Sequence, residues 1–244
     1  MAGHSHWAKI KRAKGANDAK KGKIWSKIAR KIIIAAKGGG DPRDNLALRY
    51  VIEEARAANM PKDTIEKAIA KGTGELTGSN YEAVLYEGYG PGGVAFLVEC
   101  LTDNRQRTAP EIRKIFETAG GKLATSGAVS CQFSRQGSIV IKADAIGEDD
   151  LLEKSLDAGA DDVRNEGEAF VVITAPASLH KVKEALSAAG VPIEAAQLEY
   201  VPASTVPLQG ELAQRIARLI DTLEDHDDVQ NVSHNAEIPE AVTA

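Results

Sequence analysis

The chain has 244 residues, 43% of them hydrophobic and 27% charged, enough for two or three small domains with cores of their own. No apolar run approaches the roughly 20 residues that a bilayer-spanning helix needs, which excludes a helical membrane protein. The net charge of −5 conceals a partition: residues 1–40 carry eleven Lys/Arg against one acid, residues 41–72 six of each, and residues 73–244 thirteen bases against 28 acids.

A basic head on an acidic body points to a polyanionic partner. Residues 1–16 read as a basic arm rich in small residues. Its composition is shared with transit peptides, but it lacks the apolar core of a secretory signal, and Gly3-His4-Ser5-His6-Trp7 reads as mature chain. Asn17 or Asp18 can cap a helix running to about Lys37. At 100° per residue, Ile24, Trp25, Ile28, Ile32 and Ala35 share one arc, and Lys20, Lys23, Lys27, Arg30, Lys31 and Lys37 share the opposite one. The triple glycine 38–40 ends this helix. Asp41 as cap with Pro42 at the first position predicts a second helix to about Ala58. A third runs from about Pro61 to Lys71, and residues 72–80 form a linker.

From Tyr81 the pattern changes from helical to alternating. Two strands, "YEAVLYEGY" and "GVAFLVECLT", flank a glycine-rich turn; a helix capped by Thr108 runs to about Ala119; "AVSCQFS" reads as a short strand. Residues 136–202 then spell β-α-β-β-α-β, the order of a ferredoxin-like unit. The remaining helix and strand cannot make a core alone, so 205–236 is expected to pack back onto 81–135. The fold class is therefore α+β. Residues 1–80 form a basic helical domain, 81–135 with 203–244 a discontinuous α/β domain, and 136–202 the ferredoxin-like domain inserted in it.

"GYGPGG" matches a dinucleotide fingerprint in letters only. It is followed by a strand rather than a helix, and Pro91 lacks an amide donor, so a hairpin with positive-φ glycines is expected. The five histidines and two cysteines show no metal spacing, and no catalytic constellation appears. No cofactor, metal or small-molecule substrate is expected. Cys100 and Cys131 lie in apolar stretches and read as buried, reduced thiols, which points to the cytoplasm. "TDNRQRT" (102–108) joins a strand end to a helix start. Arg105 and Arg107 there either meet an anion together with the helix amides or pair locally with acids such as Asp103.

"GHSHWAKIKRAK", "ANDAKKGKIWSKIARKI", "NLALRYVIEEARAANMPKDTIEKAIAKGTGE", "YEGYGPGGVAFLVECLTDNRQRT" and "IRKIFETAGGKLATSGAVSCQF" together resemble the YebC/PmpR family. That family includes the mitochondrial translational activator of cytochrome oxidase subunit I. The resemblance spans nearly the whole chain. It implies a helical N-terminal domain and two α/β domains, the third inserted in the second. His6 stands where the family often has Lys, and Cys131 where many members have an aromatic residue. The resemblance implies a probable transcriptional regulator that binds DNA, or a ribosome-associated factor that helps translation through difficult sequences such as proline runs.

The residues themselves support a nucleic-acid partner, DNA or ribosomal RNA, with the ribosome among the partners and no membrane. His4, His6 and Trp7 can stack on unpaired bases. Lys9, Lys11, Arg12 and Lys14 of the arm suit phosphate contacts, as do Lys20, Lys21, Lys23, Lys27, Arg30 and Lys31 of the first helix and Arg105 with Arg107. The third helix offers Lys62, Lys67 and Lys71 but few base-reading side chains, so it makes a weak recognition helix. An acidic protein-interaction module would leave the basic head unused.

Overall fold

The computed structural model describes residues 18–78 and 80–239. Three helices come first: α1 (Asp18–Ala36), α2 (Leu46–Ala57) and α3 (Lys62–Thr73). Their core joins Ile28, Ile32, Ile33 and Ala36 of α1 to Leu48, Ile52 and Ala55 of α2 and Ile65 and Ala68 of α3. The buried arc of α1 is wider than its sequence period indicates, because α3 crosses it closely enough to cover Ile33 and Ala36 as well.

The second helix starts later than Asp41-Pro42 suggests. Asp41 caps a turn, accepting from the Arg43 amide at 2.9 Å, and Asn45 is the N-cap. The Asn45 side chain accepts from the Leu48 amide and donates to the carbonyls of Ala35 and Gly39, both at 2.7 Å. A carboxylate cannot donate, so only the amide side chain serves the start of α2 and the end of α1 at once. Trp25 donates its indole N–H to the Ala58 carbonyl at 3.0 Å, closing the bundle.

β1 (Glu82–Tyr89) and β2 (Ala95–Thr102) form an antiparallel hairpin with Glu82 opposite Thr102. Its turn uses positive φ at Gly92 and Gly93. Gly88 and Gly90 serve otherwise: a Cβ there would lie 2.8 Å from Phe116 and Phe96 respectively. α4 (Arg105–Thr118) follows, then β3 (Lys122–Leu123), which pairs with β1. The helix begins three residues before Thr108, capped by Asn104, which accepts from the amides of Gln106 and Arg107.

The expected strand "AVSCQFS" is instead a 3-10 turn at Ser130–Gln132 opening into β4 (Phe133–Lys142). Glu87 of β1 organises that turn. Its buried carboxylate accepts from the amides of Gly127, Val129 and Ser130 at 2.6–2.9 Å. Burial pushes the Glu87 carboxyl up, but those amide donors outweigh it and hold the group below the ordinary range. The turn also exposes Cys131, against the expectation of burial, whereas Cys100 is buried.

α5 (Glu148–Ala158), β5 (Asp162–Asn165), β6 (Ala169–Thr174), α6 (Leu179–Ala188) and β7 (Ala195–Pro202) complete a four-stranded antiparallel sheet of order β5-β6-β4-β7. This is the ferredoxin-like arrangement, with Ile139, Ile141, Phe170 and Val172 packed against Leu151, Leu179, Val182 and Leu186 of the two helices. β8 (Val206–Pro207) leads to α7 (Gly210–Glu224), β9 (Val229–His234) and β10 (Ala236–Glu237). β9 returns to pair with β2, placing Phe96 opposite His234, so the first sheet runs β3-β1-β2-β9 and the ferredoxin-like unit is inserted within it. α4 and α7 cover one face of that sheet, where Phe96 meets Phe116 edge to face at 5.6 Å. Residues of opposite parity on β2, Ala95 and Leu97, are buried on the other face with Val129. That double burial explains why "GVAFLVECLT" is a near-continuous apolar run.

Candidate nucleic-acid interface

α1 carries two faces, and its basic one meets a protein partner. The Lys23 ammonium lies 3.3 Å from the Asp225 carbonyl and 3.4 Å from its carboxylate. Lys27 donates to the Glu224 carbonyl at 2.6 Å. Arg30 donates to the Asp227 carbonyl and lies 3.5 Å from the Asp228 carboxylate. These acceptors are the last turn of α7 and the loop after it. A helix C-terminus presents unpaired carbonyls with partial negative charge, and α7 has no basic residue of its own in its last turn. α1 supplies the missing cations. Burial lowers the Lys27 pKa despite the opposing pull of Glu224, Asp225 and Asp227.

This arrangement corrects the reading of one open basic stripe. Lys23, Lys27 and Arg30 form the joint between the helical head and the first α/β sheet, and a helical wheel cannot show a partner some 200 residues away in the chain. Lys31 pairs with Glu54 at 2.7 Å, and Lys37 donates to Asn80 and to the Tyr81 carbonyl, both at 2.6 Å. Lys21 is exposed on the first turns of α1. His4, His6, Trp7, Lys9, Lys11, Arg12 and Lys14 lie outside the described residues, as does the side chain of Lys20.

Arg105 and Arg107 lie in the first turn of α4, and both have acidic partners. Arg105 pairs with Glu82 at 2.8 Å. Arg107 pairs with Asp228 at 2.6 Å and Asp103 at 3.2 Å. The helix amides that an anion would use are taken by Asn104. The local alternative for "TDNRQRT" therefore describes the geometry found.

Asp228 is the hub of this joint and is 2% exposed. Its carboxylate accepts from Arg107 and, at 2.7 Å, from the Thr108 hydroxyl, while Arg30 approaches its other oxygen. Burial alone would raise its pKa. The hydrogen bonds from Thr108 and Arg107, with the charges of Arg107 and Arg30, hold it below the ordinary value. A second joint links α2 to α6: Tyr50 stacks on His180 with centroids 3.6 Å apart, and Lys183 pairs with Glu53 at 2.9 Å.

Between α1, α4 and α7 a groove of about 1090 Å³ opens beside the hub. Lys114 and Thr118 of α4 and Arg215, Arg218 and Thr222 of α7 line it, over an apolar floor that includes Ile115 and Leu219. None of these cations was singled out from the sequence. Their spacing, i to i+4 on α4 and i to i+3 to i+7 on α7, marks one face of each helix. The facing of the two helices, about a hundred residues apart, had no signal, and the acidic balance of residues 73–244 masks the local excess of bases. Among the described residues no group of His, Cys, Asp or Glu is placed to hold a metal ion, and no helix is long and apolar enough to cross a membrane.

Two family models cover the chain. The TACO1/YebC N-terminal domain matches residues 5–75, and the TACO1/YebC second and third domain matches residues 81–236. A protein of Acidithiobacillus ferrooxidans (strain ATCC 53993) named "probable transcriptional regulatory protein" is 53% identical, the match covering 98% of this chain and 95% of that one. One of the same name from Dictyoglomus turgidum is 50% identical over 99% and 98%. The crystal structure of a conserved hypothetical protein from Aquifex aeolicus is similar over 91% of this chain and 92% of that one, with a TM-score of 0.84 at 49% identity. The chain belongs to the TACO1/YebC family.

Proposed function

We propose that this protein is a non-enzymatic regulator of gene expression that binds nucleic acid through its N-terminal head, with DNA the target that its relatives' name implies. The observation that carries the reading is the run of cations at the N-terminal end of the sequence. Residues 1–17 hold Lys9, Lys11, Arg12 and Lys14 with no acid, while the cations of α1 from Lys23 onward have partners within the protein. Cations in a stretch of sequence that holds no acid, beside His4, His6 and Trp7, suit backbone contacts with some base stacking. Lys20 and Lys21 continue the same run of cations in the sequence. Lys23, Lys27, Arg30, Lys31, Arg105 and Arg107 act by holding the head in place.

A second reading, ribosomal RNA as the target, is favoured by α3. A duplex-reading helix needs amide or arginine side chains at its exposed start. α3 begins Lys62-Asp63, and Lys62 is 3.5 Å from Glu66.

The test is salt-dependent binding of a labelled duplex and of a ribosomal RNA fragment to the native chain and to a variant with Lys9, Lys11, Arg12 and Lys14 all changed to alanine. Loss of four phosphate contacts lowers the log–log salt slope on duplex DNA by about 3.6. Unchanged affinity and slope would remove the arm from the mechanism. Sedimentation of lysate with and without RNase separates the targets: RNase-sensitive co-migration with ribosomal subunits supports RNA, and recovery on promoter fragments alone supports DNA.

A further inference from the structure

The groove between α1, α4 and α7 holds more cation than its own acids consume. Asp225 is engaged by Lys23, Asp228 by Arg30 and Arg107, and Glu111 by His226 at 3.1 Å. On the opposite walls Lys114 and Arg218 are exposed and have no side-chain partner among the described residues, and among these Asp227 is the one lining carboxylate outside an ion pair. Arg215, which also lines the groove, donates to the Ala119 carbonyl at 3.0 Å, tying its guanidinium to the end of α4 with further N–H donors beyond that one bond.

Two helices thus present three cations, with the hydroxyls of Thr118 and Thr222 among them, above the apolar floor of Ile115 and Leu219. Cations with hydroxyl donors suit phosphate oxygens, and an apolar floor suits the face of a base or ribose. We propose that this groove is a second nucleic-acid site, taking the phosphodiester backbone of a single strand along Lys114, Arg215 and Arg218. The proposal rests on the nucleic-acid reading above and extends it from the head to the α/β body. Size favours a single strand: the groove's volume equals that of a cube about 10 Å on edge, whereas the major groove of B-DNA alone is about 12 Å wide. Continuity favours the same ligand, because α1, which follows the arm directly, forms one wall through Lys23 and Arg30.

The test compares the full chain with Lys114→Ala/Arg218→Ala by fluorescence anisotropy, using a 12-nucleotide mixed-sequence RNA, the equivalent single-stranded DNA and a DNA duplex. Loss of two phosphate contacts should lower the single-strand log–log salt slope by about 1.4, weaken single-strand binding about tenfold at moderate salt, and affect the duplex less. The charge-preserving Lys114→Arg/Arg218→Lys variant should keep near-native affinity, and neither variant should change the melting temperature. Native single-strand affinity and slope in the alanine variant, with binding still lost in the arm variant, would overturn the groove and leave the head as the only site. No binding of any of the three probes by the native chain would overturn both readings.

Discussion

Replacing Asp228 with alanine should loosen the joint that holds the helical head against the first α/β sheet. The carboxylate accepts from Arg107 at 2.6 Å and from Thr108 at 2.7 Å, with Arg30 at 3.5 Å. Hydrogen bonds to charged groups contribute about 1.5–3 kcal/mol each, so the two short ones set an upper range of about 3–6 kcal/mol. The loss should fall at the lower end. The Arg107 side chain is 44% exposed, regains water and keeps Asp103, and Thr108 keeps its contacts with Thr102 and the Asn104 carbonyl. Arg30, 15% exposed, keeps the Asp227 carbonyl and the Tyr81 ring, 5.7 Å from its guanidinium. A destabilisation of about 3 kcal/mol is expected, in line with breaking a partly buried ion pair.

Urea unfolding followed by Trp fluorescence and by far-ultraviolet circular dichroism measures it. The difference also has a pH signature. The folded Asp228 pKa lies below the unfolded value of about 3.9, so its contribution is complete above that value and lost as pH falls through the folded pKa. The gap between the native protein and the variant should therefore close below about pH 4. A gap under about 1 kcal/mol at pH 7, or one that does not depend on acid, would refute Asp228 as the hub.

Three further outcomes test other parts of the structure. Gly72→Ala would place a Cβ 2.5 Å from the Ile33 carbonyl oxygen and 2.6 Å from the Ala36 Cβ, so thermal unfolding should show a loss of about 1–3 kcal/mol as α1 and α3 are forced apart. Glu87→Gln turns an acceptor of three amides into a group that must point a donor at one of them; a loss of about 2–3 kcal/mol is expected at neutral pH. Because the folded Glu87 pKa is lowered, that loss should also shrink in acid, and a pH-independent difference would contradict the amide cradle. In a thiol titration of native protein one cysteine should react fast and one slowly. Cys131 is exposed, while burial, with Asp228 nearby, pushes the Cys100 thiol up to about 12. Two fast thiols would show that β2 opens readily.

Much of the architecture was legible because it rests on local periodicity. The period of α1, the β-α-β-β-α-β order of residues 136–202 and the need of the last helix and strand for a partner all follow from which residues must leave water. Element starts were less legible. Asp41-Pro42 and Thr108 are good start signals, yet Asn45 and Asn104 cap the helices; the Asn45 amide also donates to the carbonyls of Ala35 and Gly39, a need that arises only when α1 is in place. "AVSCQFS" reads as a strand by its apolar content. Its residues turn because Glu87, some forty positions earlier, gathers their amides.

The candidate site divides along the same line. Composition by itself determined that the cations concentrate at the N-terminal end and that their partner is an anion, because a long excess of one sign seeks the other whatever the fold. Only the tertiary structure decided which cations remain available. It spends Lys23, Lys27 and Arg30 on the end of α7 and Arg107 on Asp228, and it brings Lys114, Arg215 and Arg218 together from helices about a hundred residues apart. The physical reason is range: a helical wheel reports neighbours within a few turns, whereas ion pairing acts through space over a few ångströms between groups that the chain brings together only when folded.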